Sequence, residues 1–240
     1  MSSNAPIIEF KNIWKKYSRS RIFHKSLRED IANIFQFKKN KDLSSDEFWA
    51  LKKINLTIAQ GETLGFYGPN GAGKSTILKL IAGVTYPTKG TIKAEGRIAP
   101  LLEIGAGFHK DLTGRENIFI NGAILGMKIP EIKNLLDLII DFSEIQEFID
   151  MPVKKYSSGM YLRLAFSIAI HSQADIYLID EIIAVGDEDF KRKCLAKMNE
   201  LKTKGKTLLL VTHDLSLMQQ LADRIIFLNK SEISHQEEIL

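Results

Sequence analysis

Thr63-Leu64-Gly65-Phe66-Tyr67-Gly68-Pro69-Asn70-Gly71-Ala72-Gly73-Lys74-Ser75-Thr76-Ile77-Leu78 is the stretch whose reading decides the fold. Thr63 to Tyr67 is a short apolar run that predicts a buried strand, and Lys74 to Ala82 predicts a helix with Ile77, Leu78 and Ile81 on one face. Between them, Gly68 to Ser75 fits G-x-x-x-x-G-K-[ST]. Strand, glycine loop and helix in that order are the context a phosphate-binding loop requires. In Gly68, Pro69, Asn70, Gly71, Ala72 and Gly73 the glycines let successive backbone N–H groups turn toward one anion, at the positive end of the following helix. Lys74 adds a point charge for the outer phosphates, Ser75 a hydroxyl for Mg2+, and Thr76 a hydrogen bond to an inner phosphate.

Working outward, Ile7–Phe10 and Trp49–Ala59 read as N-terminal strands. From about Thr113 to His171 the pattern is helical, with Ile132, Leu135, Leu136, Ile139 and Ile140 at helical spacing, followed by Leu162, Ala165, Phe166 and Ala169. The last third alternates strand Ile176–Ile179, helix Asp187–Lys202, strand Thr207–Val211, helix Leu215–Leu221 and strand Arg224–Leu228. Alternating strands and helices predict a parallel α/β core sheet wrapped by helices, with the middle helices as an inserted subdomain and an antiparallel layer near the N-terminus.

Asp180 closes the apolar run Ile176–Ile179, which predicts its carboxylate at the edge of the sheet beside the phosphate loop, suited to magnesium either directly or through an intervening ligand. Glu181 follows at once and is suited to accept a proton from an attacking water. His213 follows another apolar run. A helix cap with a first-turn acid is the other way to read Asp180-Glu181, and a structural role the other way to read His213.

The bulk properties bound the rest. The chain has 240 residues, 45% hydrophobic, and a formal net charge of +4 from 33 basic and 29 acidic residues, too small an excess to argue for nucleic acid. Its single cysteine, Cys194, excludes an intramolecular disulfide and lies on the apolar stripe Phe190, Cys194, Met198, Leu201, which predicts a core position. No run reaches the ~18 apolar residues needed to span a bilayer, and Met1–Pro6 lacks the layout of a signal peptide. A cytosolic chain that reaches membranes through a partner is the expectation. Between Tyr17 and Glu47 there is no strand signal. Leu27, Ile31, Ile34 and Phe35 recur there at helical spacing among Arg19, Arg21, Lys25, Arg28, Lys38, Lys39 and Lys41. A helix packed on its own domain and a helix touching a membrane protein or anionic headgroups are both open readings of this basic insert, 18–47.

The order of phosphate loop, Tyr156-Ser157-Ser158-Gly159-Met160, strand-Asp180-Glu181, Ala184-Val185-Gly186-Asp187 and strand-terminal His213 resembles an ABC-type ATPase domain, from Ile7 to about Leu228. The resemblance implies one such domain over 1–240, binding ATP and Mg2+. Two copies would pair head to tail, with Ser157, Ser158 and Gly159 acting on the ATP held by the partner copy. It further implies Tyr17 stacked on adenine, Asp187 communicating between the two sites, and His213 on the γ-phosphate. The family's magnesium-binding glutamine is missing between Gly61 and Ile145, and Glu103 is the substitute the position suggests. Leu101-Leu102-Glu103-Ile104-Gly105-Ala106-Gly107-Phe108-His109, Leu112-Thr113-Gly114-Arg115-Glu116-Asn117-Ile118, Tyr-Ser-Ser-Gly-Met and Phe48-Trp49-Ala50-Leu51 resemble the ATPase subunits of polysaccharide exporters of the O-antigen, capsule and teichoic acid type. These imply a separate integral membrane permease, a lipid-linked glycan as cargo, and a place on the cytoplasmic face of the inner membrane. A carbohydrate-binding domain carried by some members is expected to be absent or removed, because the chain stops at Leu240 after an acidic tail. ATPases for another transported substrate, and soluble ABC proteins acting on DNA or ribosomes, are the alternatives. The short stretch between Lys74 and Ser157, without a coiled coil, and the single ATPase unit disfavour the latter.

Overall fold

The computed structural model describes residues 6–18, 46–102, 105, 107–180 and 187–239. Most of the basic insert, Glu103 and Glu181 lie outside the described residues. The strands are β1 (Pro6–Ser18), β2 (Glu47–Ala59), β3 (Thr63–Tyr67), β4 (Lys89–Ala94), β5 (Ile98–Leu101), β6 (Ile176–Asp180), β7 (Thr207–Val211), β8 (Arg224–Asn229) and β9 (Glu232–Glu238). The helices are α1 (Lys74–Ile81), α2 (Gly114–Ile124), α3 (Ile129–Ser143), α4 (Ser158–Ile170), α5 (Glu188–Thr203) and α6 (Leu215–Leu221).

Two sheets form. Strands β2-β1-β4 make a three-stranded antiparallel sheet, and β5-β6-β7-β3-β8-β9 a six-stranded one. In the larger sheet β5 to β8 run parallel and β9 is antiparallel at the edge. Period-two alternation explains how the layers close. Leu178, Leu209 and Val211 face a core shared with Ile8, Phe10, Leu51 and Ile58 of the smaller sheet and with Ile77 and Leu78 of α1. Their strand neighbours Tyr177, Ile179, Leu208 and Leu210 face the opposite way, onto Phe166 and Ala169 of α4 and Phe190, Cys194 and Met198 of α5. Helix α1 therefore sits between two sheets, which anchors the loop at its N-terminus. Helices α2, α3 and α4 close a third core around Ile118, Ile132, Ile139, Leu164 and Ile168.

The predicted alternation in the last third is present within a residue of each bound. Three expectations change. The first strand runs on to Ser18, so Tyr17 lies inside β1 rather than after it. Pairing with both neighbours explains the extension: β1 holds β2 along its full length and β4 over part of it, with bulges that break the apolar alternation. Strands β4 and β5 were not anticipated, because Lys89–Ala94 is exposed on both faces and Ile98–Leu101 is very short. The acidic tail is largely strand β9, whose charged exposed residues suit a sheet edge.

Candidate functional site

The carboxyl ends of β3, β6 and β7 meet at one edge of the core sheet, where open α/β sheets take their ligands. The loop after β3 depends on its glycines. Gly73 caps α1 with φ +107°, and a Cβ there would lie 2.5 Å from Leu51 Cδ2 and 2.7 Å from the Ala50 carbonyl oxygen. At Gly68 a Cβ would approach the Leu228 carbonyl oxygen to 2.2 Å. The loop is thus pressed against β2 and β8 and cannot carry side chains at these points.

Lys74 is buried, and its ammonium donates to the Gly68 carbonyl at 2.7 Å and the Pro69 carbonyl at 3.2 Å. These bonds hold a cation inside the curl of the loop, next to the N-terminus of α1. The Ser75 hydroxyl donates to Asp180 Oδ2 at 3.3 Å, across the intervening strand β7. Val211, the last residue of β7, is in register with both Asp180 and Phe66. The exposed His213 follows two residues later, so it belongs to the same edge. The sheet thus sets Ser75 against Asp180 beside the loop, and places His213 just past the end of the strand between them.

The hydroxyl–carboxylate pair fits a hard divalent cation. Mg2+ commonly takes one or two protein oxygens and completes its shell with water and substrate phosphates. Among the described residues no group of three or more His, Cys, Asp or Glu could hold a metal by itself, so a protein-only cage is not offered there. A cleft of ≈ 250 Å³ runs from the loop residues Asn70, Gly71, Gly73, Lys74, Ser75 and Thr76 to Tyr17, Phe48 and Ala50. Tyr17 is therefore brought to the phosphate loop. Phe48 and Ala50, which the sequence marked only within a stretch of family resemblance, also line the cleft, since the pairing of Tyr17 with Phe48 exists only once β1 and β2 are in register.

Ser157, Gly159 and Asp187 line a different cleft, of ≈ 310 Å³, with Glu144, Phe148 and Arg163. The two clefts share no lining residue. Ser157 caps α4, its Oγ accepting from the Met160 N–H at 3.2 Å, and Ser158 opens the helix, exposed. Asp187 caps α5, its Oδ1 accepting from the Phe190 N–H at 2.9 Å. Arg163 of α4 joins the Asp187 cap to Glu144: it donates to Asp187 Oδ2 at 2.6 Å and to Glu144, with its guanidinium over the Phe190 ring. Lys193 of α5 also reaches Glu144, at 3.1 Å. The Phe190 N–H first, and Arg163 beside it, hold the Asp187 carboxyl below the usual range. Nothing in the sequence distinguished Arg163 and Glu144, because partners from three helices meet only in the packed chain. The Tyr156 hydroxyl donates to the Phe148 carbonyl at 2.9 Å and burial pushes it up to about 12, so this position anchors the turn before Ser157.

A cradle of glycine backbone with a buried lysine, beside a serine–aspartate pair at the carboxyl edge of a parallel sheet, defines a nucleotide-phosphate-binding α/β domain. Comparison with known proteins narrows this. The family model described as "ABC transporter" matches residues 51–184. The O-antigen export system ATP-binding protein RfbB of Myxococcus xanthus is 48% identical over 225 residues, covering 93% of this chain and 51% of that protein. RfbB of Klebsiella pneumoniae is 40% identical over 241 residues, covering 98% and 96%. The teichoic acids export ATP-binding protein TagH of Listeria innocua is 41% identical over 231 residues, covering 96% and 67%. The chain thus spans about half the length of the Myxococcus relative and nearly all of the Klebsiella one. A solved dimeric ATP-binding cassette bound to ADP and Pi superposes with TM-score 0.76 at 22% identity, over 97% of this chain and 99% of that one, which shows a shared fold. The chain belongs to the ABC transporter family, as one of its ATP-binding domains.

Proposed function

We propose that this chain binds and hydrolyses ATP to power export of a lipid-linked polysaccharide, of the O-antigen, capsule or teichoic acid type, through a separate membrane permease. The observation that carries the ATPase reading is the Ser75–Asp180 pair at 3.3 Å beside the Lys74-centred loop. The names of the O-antigen and teichoic acid export relatives support the cargo. In this reading backbone N–H groups of the glycine loop and the Lys74 ammonium bind the phosphates. Ser75 and Asp180 hold Mg2+, which when bound neutralises charge developing on the phosphates. Glu181, next to Asp180, takes a proton from the attacking water, and His213 donates to the γ-phosphate oxygens. Glu103 stays a proposed ligand, from sequence position alone.

The second copy belongs to the same proposal. Ser157 and Gly159 line a cleft apart from their own chain's phosphate loop, with the exposed Ser158 between them in sequence, which suits action on a partner's nucleotide. Gly159 supports this. It sits in the first turn of α4, where a Cβ would meet only Ser157 Oγ, at 3.8 Å, so its own chain does not require glycine there. An approaching phosphate would.

For the permease, a groove of ≈ 140 Å³ is lined by Val84, Pro100, Leu102, Ile124 and Leu125 among others, and Val84 and Ile124 are exposed by 61% and 65%. No helix among the described residues is long and apolar enough to cross a membrane. Peripheral attachment at the cytoplasmic face, through that groove and the basic insert, is the arrangement we infer. Lys74→Ala should lose ATP binding, whereas Glu181→Gln should keep it and lose ~10²-fold or more in hydrolysis. Both should abolish surface glycan in cells that depend on this chain. ATPase of Glu181→Gln within about threefold of the parent would remove it as the base, and normal surface glycan with either inactive variant would exclude the cargo.

A further inference from the structure

Tyr156 and Ser157 are two consecutive extended residues between the 3-10 turn Val153–Lys155 and α4, with φ, ψ of −74°, 145° and −66°, 161°. The Ser157 side chain is engaged in capping its own helix, so the direction of this extended pair depends on what the Tyr156 side chain grips. That ring packs against the third core, and its hydroxyl donates to the Phe148 carbonyl at 2.9 Å. The same oxygen fills the space in which a side chain at Gly114 would begin. A Cβ there would lie 2.2 Å from Tyr156 Oη, with Ile149 Cδ1 next at 3.0 Å. Gly114 is the first residue of α2 and is absent from the positive-φ glycines, so the hydroxyl, and not the backbone conformation, accounts for glycine at this position.

The contact closes a longer seam. Residues 110–115, which lead into α2, run against residues 149–154, which lead to Ser157. Four backbone bonds join them: Arg115 N–H to the Ile149 carbonyl at 3.0 Å, Gly114 to Met151 at 3.2 Å, Val153 to Leu112 at 2.9 Å and Lys154 to Lys110 at 2.9 Å. Arg115 pairs with Asp150 through two hydrogen bonds, and Lys154 with Asp111 at 2.9 Å. The start of α2 and the approach to Ser157 thus form one piece, tied last at the residue beside Ser157. We propose that Tyr156 is a positioning residue for hydrolysis of the partner copy's ATP: its hydroxyl, seated over Gly114, fixes the direction in which Ser157 and the N-terminus of α4 face that copy. The inference rests on the head-to-tail reading above and names what aims the serine.

The test compares the parent with Tyr156→Phe, Gly114→Ala and the double variant. Thermal melts report folding and calorimetry the MgATP affinity of the monomer. Light scattering in a Glu181→Gln background reports ATP-dependent dimerisation, and steady-state kinetics without that background give kcat. Tyr156→Phe keeps the ring and loses only the hydroxyl. Its MgATP affinity should stay within about twofold of the parent, because the phosphate loop lies in another cleft, while dimerisation and kcat fall about tenfold or more. Gly114→Ala displaces the hydroxyl without deleting it, so it should show the same loss, and it answers the question if phenylalanine fails to fold. The double variant should be no worse than Tyr156→Phe alone, since the methyl group then enters the vacated space. Parental dimerisation and kcat in Tyr156→Phe overturn the proposal. So does a matching loss of monomer MgATP affinity, the mark of a general packing role, and so do additive losses in the double variant. Gly159→Ala serves as the control for the reading beneath. If it too leaves dimerisation and kcat unchanged, the head-to-tail reading falls and this inference with it; if it lowers both while Tyr156→Phe does not, only this inference falls.

Discussion

Gly73 illustrates how one residue can carry the geometry of a site. Its φ of +107° is strained for any L side chain, and a Cβ would press on both the Leu51 side chain and the Ala50 backbone. Neither neighbour can yield easily, since Leu51 is fully buried in the core between the two sheets. Gly73→Ala should destabilise the fold by about 1–3 kcal/mol through backbone strain and the close contact. It should also open the loop, so that ATP binding falls further than stability does. Urea unfolding together with ATP titration checks this, and parental values of both would show that the loop can relax around a methyl group.

At the scale of elements, α4 works in two registers: its N-terminus presents Ser157, and its C-terminal end is packed into the core. His171 caps that end, buried against Phe142, with Nδ1 at 2.8 Å from the Ser167 carbonyl. Burial lowers its pKa to about 4; the Ser167 carbonyl and Glu200 oppose the shift, and Lys197 and Lys193 add to it. The folded chain therefore keeps His171 neutral where the unfolded chain has begun to protonate. Its contribution is fully present above about pH 6.5 and is lost as the pH falls toward 4, by about 2 kcal/mol at pH 5. Urea unfolding at pH 7 and pH 5 should show that loss in the parent and a flatter dependence in His171→Gln. An unchanged slope in the variant would assign the pH dependence to other groups. The Glu144–Arg163–Asp187 link ties the end of α3 and the cap of α5 to α4, the helix that Ser157 caps.

For the whole molecule, the separation of the two clefts is the main consequence of the fold. In the proposed head-to-tail pair each chain supplies a phosphate loop to one site and a serine-capped helix to the other. Gly159→Ala isolates that arrangement, because the first turn of α4 has room for a methyl group. Monomer stability should stay level or rise by about 0.5–1 kcal/mol, the usual gain of alanine over glycine in a helix. ATP-dependent dimerisation and hydrolysis should nevertheless fall at least tenfold. Light scattering with and without ATP, in a Glu181→Gln background that holds nucleotide, separates the two effects. Undiminished dimerisation would detach Gly159 from the partner's site.

The sequence alone determined the glycine loop, the α/β alternation around it, and Lys74, Ser75, Asp180 and His213 as candidate site positions. Those rest on local signals, either a contiguous motif or a residue at the end of a strongly apolar strand. It also determined Cys194 as core, and the structure buries that thiol with its pKa pushed up to about 12. Strands β4, β5 and β9 were illegible because β4 and β9 stay largely exposed and β5 is only four residues long, so cross-strand pairing rather than their own periodicity makes them strands. The tertiary structure alone decided that Tyr17 and Phe48 share a wall, since strand register sets that pair. It alone brought Arg163 between Glu144 and Asp187, three residues far apart in the chain. It also decided that Ser157 and Lys74 line different clefts of one molecule. Spacing along a sequence says which parts exist; only packing says which of them face each other.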